Sequence, residues 1–202
     1  MSTATIFGQV MFLVAIAIGF LTLGAYVGRD LEYGTAMILS FTGFGMLLVS
    51  NFVGALRTGP VAMLWLFATS LVIGLGLGPV LTDYLNSDPT AVAQAAGGTA
   101  LITLGMGSLG FVLSKDLRSW MRPLSFIVFG AVGVSIVMFI VGAGSSPIIN
   151  IIILGVSSLL ILVDFNYVRK HATEDDVVWL ATGIFVSIVN IFLSLLSLFG
   201  NR

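Results

Sequence analysis

The chain has 202 residues, of which 58% are hydrophobic and only 8% charged, with a net charge of −1. An ordinary soluble domain carries about 25% charged residues, so lipid rather than water must solvate most of this exterior. Near-neutrality argues against a nucleic-acid partner, and the absence of cysteine excludes disulfides, thiolate metal sites and thiol nucleophiles. The opening MSTATIFGQV has no basic residue ahead of its apolar run, so no cleaved signal peptide is expected.

A hydrocarbon core of about 30 Å needs roughly 20 apolar residues in a helix. Seven such stretches follow one another: Phe7–Val27, Ala36–Leu56, Val61–Leu81, Ala91–Leu113, Leu124–Val141, Pro147–Val168 and Val177–Phe199. Their continuity predicts an all-α integral membrane protein, a seven-transmembrane-helix bundle forming one domain over residues 1–202. A transmembrane barrel would instead show alternating segments of about ten residues.

The punctuation agrees with these limits. Pro60, Pro123 and Pro147 are expected in first helical turns, where a missing N–H is tolerated. Ser146 can cap the turn at Pro147, and Asp88-Pro89 opens the fourth helix in the same way. Thr173-Glu174-Asp175-Asp176 invites a calcium-site reading, but a capped helix start with acids at the positive dipole end explains it better. The longest connection is about ten residues, so no soluble catalytic domain is present between spans.

Orientation follows from Lys and Arg. Arg57, Lys115, Arg118, Arg122, Arg169 and Lys170 fall on one side, against Arg29 and Arg202 on the other. The N-terminus is therefore expected in the cytoplasm and the C-terminus outside, in the cell (inner) membrane. Of the 24 glycines, Gly24-x-x-x-Gly28 and Gly74-x-x-x-Gly78 are predicted to let helices approach closely.

Ionisable groups deep in a span are costly and usually functional. Asp164, in LLILVDFNYV of the sixth span, is the clear case, and heptad steps back from it reach Ser157 and Asn150 on one face. The seventh span carries Gly183, Ser187, Asn190, Ser194 and Ser197 at spacings of 4, 3, 4 and 3, a small and polar seam expected to face that of the sixth. An unpaired carboxylate in hydrocarbon stays protonated. Arg57, on the same expected side, is the candidate partner, and an Arg57–Asp164 contact would respond to pH. Asp83 is expected at the interface, within reach of water.

Enzyme classes fail on inventory. One histidine, His171, cannot supply HExxH or a base inside a span, and both lysines lie in loops. No enzyme, cofactor or resident metal is expected.

GLGLGPVLTDYL in the third span, AQAAGGTALI in the fourth, SKDLRSW after it and SIVNIFLSLLSLFG at the end resemble the Bax-inhibitor family, most closely its bacterial YccA-like branch. The similarity runs through nearly the whole chain in order. It implies seven helices arranged around a central, hairpin-like C-terminal helix. It also implies a site: in other branches two aspartates on the sixth and seventh helices form a pH-sensitive pair linked to calcium leak, with an arginine as latch. Asp164 matches the first and Arg57 the latch, but the second aspartate falls at Ser187 here. One carboxylate facing a serine is not a coupled pair and binds calcium weakly.

YccA-like proteins resemble this chain in lacking that second acid, and are associated with the membrane AAA protease FtsH, as substrates that resist extraction and so modulate it. The resemblance thus implies a regulator that associates with an FtsH-type protease. Only six residues precede the first predicted span, which directs the expectation toward lateral helix association. The alternative is a pH-sensitive calcium, cation or proton leak gated near Asp164. A small transporter is a third reading, for which no internal repeat is evident.

Overall fold

The computed structural model describes residues 2–142, 144 and 146–200, without the side chains of Asn51, Phe139 and Ile140. Met1 and Arg202, which bear on the leader and orientation readings, lie outside the described residues. Among these residues seven helices are long and apolar enough to cross a membrane. They are α1 (Thr3–Val27), α2 (Tyr33–Phe52), α3 (Gly59–Ser87), α4 (Pro89–Val112), α5 (Arg118–Ile140), α6 (Pro147–Lys170) and α7 (Val177–Phe199). The chain is an all-α, multi-pass membrane protein.

Local chemistry sets the helix ends. Ser2 Oγ accepts from the Thr5 N–H at 3.3 Å, and an Asp88 carboxylate oxygen accepts from the Ala91 N–H at 3.0 Å, so each caps orphan donors. Pro89 and Pro147 open their helices as expected, with Ser146 at the cap position of α6 but no hydrogen bond from its side chain. Thr173 and Asp176 form a reciprocal capping box around the short 3₁₀ turn Glu174–Asp176 that leads into α7.

α2 stops at Phe52 and gives way to a 3₁₀ turn over Gly54–Leu56, short of its predicted end at Leu56, while α3 and α5 outrun their predicted spans furthest. α3 continues to Ser87 rather than ending at Leu81, and α5 begins at Arg118 rather than Leu124. Pro123 therefore stands inside α5, not in its first turn. The apolar run marks where hydrocarbon begins, whereas the helix extends on through the polar interface.

The chain divides into two compact units, Met1–Ser87 with Ala172–Phe185, and Asp88–His171 with Val186–Arg202. In the first, α3 packs against both α1 and α2. Its two Gly-x-x-x-Gly pairs meet each other: a Cβ on Gly74 would strike the backbone of Leu21 and Ala25, and one on Gly24 would strike that of Leu71 and Leu75. Phe20 stacks on Phe67 beside this contact, with ring centroids 5.3 Å apart. Tyr33 donates to Asp83, whose side chain is exposed.

In the second unit α6 packs against both α4 and α5. Leu124 and Val128 of α5 bury against Ile153, Leu160 and Val163 of α6. Gly107 and Gly110 let α4 approach α6: an added Cβ at Gly107 would meet the Phe165 ring, and one at Gly110 the Leu162 carbonyl. Phe111 and Phe165 meet edge-on at 6.0 Å across the same contact.

Candidate functional site

The polar residues of the second unit gather at the end where α4 stops, α5 starts and α6 stops. A helix leaves its last carbonyls without intrahelical partners, and at the end of α4 those groups run from the buried Gly110 to the exposed Leu113. Asn166, fully buried on α6, supplies donors to them. Its Nδ2 donates to the carbonyls of Gly110 at 3.1 Å, Leu113 at 3.1 Å and Lys115 at 3.2 Å. Its Oδ1 accepts from the Leu117 N–H at 3.1 Å. One amide thus fastens both the end of α4 and the loop to α5.

Cations complete the fastening. Arg169 Nη2 donates to the Leu113 carbonyl at 2.6 Å, and Lys170 donates to the Ser114 carbonyl. Both sit where the negative ends of α4 and α6 favour positive charge. Asp116, in the loop, accepts from the Arg118 N–H at 2.9 Å and thereby caps α5, while its other oxygen meets His171 Nε2 at 2.7 Å.

These bonds hold the Asp116 carboxyl below the usual carboxylate range, first through the Arg118 N–H and then through His171. A depressed carboxylate contributes stability that is present above its unfolded value, near 4, and is lost as pH falls through the lower folded value. Protection of the Arg118 amide against hydrogen exchange, taken relative to its intrinsic rate, should therefore fall only at acid pH, and Asp116→Asn should lower it at neutral pH.

The residues singled out in the sequence lie as follows. Asp164, two residues before Asn166, is 5% exposed, and no described residue of its unit hydrogen-bonds or ion-pairs with it. Ser157 is fully buried, with its hydroxyl lacking a hydrogen-bond partner among the described residues. Asn150 Nδ2 donates to Ser197 Oγ at 2.8 Å, joining the sixth and seventh helices within the second unit. Ser187 and Ser194 are buried and Asn190 is half-buried in the same unit. Gly183 belongs to the stretch of α7 in the first unit, as does Arg57, which is exposed after the 3₁₀ turn Gly54–Leu56. No group of three or more His, Cys, Asp or Glu able to hold a metal occurs among the described residues.

Asn166 was not singled out. The signal was present in LLILVDFNYV, because a carboxamide inside an apolar span needs partners as surely as a carboxylate does. The neighbouring charge at Asp164 drew the attention instead.

The fold and this loop-fastening cluster define a class: a polytopic membrane protein in which buried polar chemistry locks the α4–α5 loop to helix ends. The chain belongs to the Bax-inhibitor family, since residues 3–202 match the family model described as "Inhibitor of apoptosis-promoting Bax1". It is similar to "Modulator of FtsH protease YccA" of Escherichia coli K12, with 25% identity over 210 residues, covering 99% of this chain and 91% of that protein. An uncharacterised protein of Pseudomonas aeruginosa is 27% identical over 195 residues, 93% of this chain and 85% of its own length. An uncharacterised membrane protein of Streptococcus pyogenes serotype M6 is 27% identical over 179 residues, 84% of this chain and 74% of its own.

Proposed function

We propose that this protein is a non-enzymatic regulator that associates, through its helices and short loops, with a membrane-anchored AAA protease of the FtsH type. The observation that carries this reading is the similarity to a relative named as a modulator of that protease, spanning 99% of the chain. The architecture supports it. Every described connection between helices is short and none holds a soluble domain, so a partner must be met by helix faces and loop ends. Tight fastening of the α4–α5 loop by Asn166 also suits a protein that resists extraction from the bilayer, because a pulling force must break several bonds at once. The Lys and Arg bias favours a cytoplasmic side for this loop and the N-terminus, which would make the fastened loop available to a cytoplasmic partner.

The test is recovery of the protease with this protein from mild detergent, beside an unrelated seven-helix membrane protein as reference. Specific enrichment of the protease supports the reading, and equal recovery with both proteins sinks it.

One observation favours a second reading, a cation or proton leak. Asp164 is nearly buried in α6 without a partner in its own unit, and the unpartnered Ser157 hydroxyl lies two turns away on the same face. In that reading Asp164 gates the path, Arg57 acts as its latch, and Ser187 with Asn190 supplies polar lining. Calcium or proton entry into dye-loaded proteoliposomes, abolished by Asp164→Ala, would establish it, and entry unchanged by the substitution would remove it.

A further inference from the structure

The α4–α5–α6 end of the second unit is rich in positive charge. It carries Lys115, Arg118, Arg122, Arg169 and Lys170 against a single carboxylate, Asp116. That carboxylate is already engaged, with one oxygen on the Arg118 N–H and the other on His171. Arg169 and Lys170 are engaged as well, on the Leu113 and Ser114 carbonyls.

Three cations are left over. Lys115, Arg118 and Arg122 are exposed, and no described carboxylate pairs with any of them. The Arg118 guanidinium is steadied by an aromatic ring instead of an acid, lying over Tyr167 at 5.9 Å. Arg118 and Arg122 are one helical turn apart, so they share a face and repel each other. They also stand at the start of α5, where the helix dipole disfavours positive charge. With no described carboxylate paired to them, the three exposed cations are open to an anion from outside the protein.

Their depth in the bilayer says which anion. Trp120, 53% exposed, stands at the same level of α5 but around the helix from the two arginines, and Phe126, 78% exposed, follows where α5 becomes continuously apolar. An exposed tryptophan followed by a lipid-facing phenylalanine marks the headgroup boundary. The cations therefore lie at the level of lipid phosphates.

We propose that Lys115, Arg118 and Arg122 form a binding face for the headgroup of an anionic phospholipid, at the interfacial level that Trp120 marks from the other side of α5. Arg118 and Arg122 grip the phosphate from one helix face, and Lys115 adds charge from the loop. Because Asn166 fastens that loop, the three groups are held in place before the lipid arrives. A zwitterionic lipid offers the same phosphate but no net charge, so the face selects by charge.

Native mass spectrometry of the full chain released from micelles, titrated with phosphatidylglycerol or phosphatidylcholine, tests this. Each juxtamembrane cation is worth roughly fivefold in attraction to anionic lipid, so the pair of arginines is worth on the order of 30-fold. Wild type should retain phosphatidylglycerol in clear preference to phosphatidylcholine. Arg118→Gln/Arg122→Gln should lose most of that preference, Arg118→Lys/Arg122→Lys should keep it, and Arg29→Gln, a charge removal in the first unit, should not alter it. If the double glutamine variant folds poorly, Lys115→Gln alone should still lower the preference severalfold. Equal retention of the two lipids by wild type overturns the proposal, as does a preference that survives all three charge removals. Unchanged lipid preference with lost recovery of a protein partner assigns the face to an acidic protein surface and overturns it as well.

Discussion

Asn166→Ala is expected to lower stability by about 3 kcal/mol, read as an earlier unfolding midpoint in mixed micelles. The alanine removes one acceptor and two N–H donors that three carbonyls share, each bond worth about 1 kcal/mol net, and takes the donor from the buried Gly110 carbonyl. Water at the exposed loop and the Arg169 bond to Leu113 keep the loss from growing beyond this. Asn166→Asp should be worse than alanine despite its matching shape. A carboxylate has no N–H to donate, so it would present negative charge to the Gly110, Leu113 and Lys115 carbonyls. Both variants should also speed hydrogen exchange at the Leu117 amide. If the two behave like wild type, the α4–α5 loop is held by something other than Asn166.

The second large effect belongs to the first unit. Gly74→Ala should cost roughly 1–3 kcal/mol, and Gly74→Leu more, because an added Cβ meets backbone atoms of Leu21 and Ala25 rather than a side chain able to move. The helices would have to separate along the whole α1–α3 contact. Gly19→Ala is the matching control, since nothing lies within 4 Å of its added Cβ. Thermal unfolding in detergent should show a marked fall for Gly74 and none for Gly19. Equal effects would mean that the cost arises from glycine replacement as such and not from helix approach.

These two sites show what could be read in advance. The spans were legible because a bilayer demands long apolar runs, and the Gly-x-x-x-Gly pairs because small residues at that spacing have one main use in a membrane. Helix ends were less legible. Hydropathy marks hydrocarbon, and α3 and α5 simply carry on beyond it. Asn166 escaped notice because its partners are backbone carbonyls, which leave no trace in side-chain identity. The likeness between units, with α3 packed on α1 and α2 as α6 is on α4 and α5, was equally invisible. Packing topology can repeat while the side chains that implement it do not, here a glycine contact in one unit and Leu124–Val128 against Ile153–Val163 in the other.

Asp164 makes the complementary point. Charge and span position mark it as costly, and its burial agrees with that cost. Its use depends on a neighbour, and the resemblance implies a second acid at the position that Ser187 fills here. The resemblance therefore speaks more clearly for association with a protease than for a calcium path.

The most direct test of that association is kinetic. A membrane AAA protease of the FtsH type, reconstituted in vesicles containing phosphatidylglycerol, would be given a labelled membrane substrate with and without this protein. Degradation should slow as this protein is added, while the protein itself is consumed slowly or not at all. An unchanged rate at saturating amounts, with both proteins shown to share the same vesicles, would contradict the association.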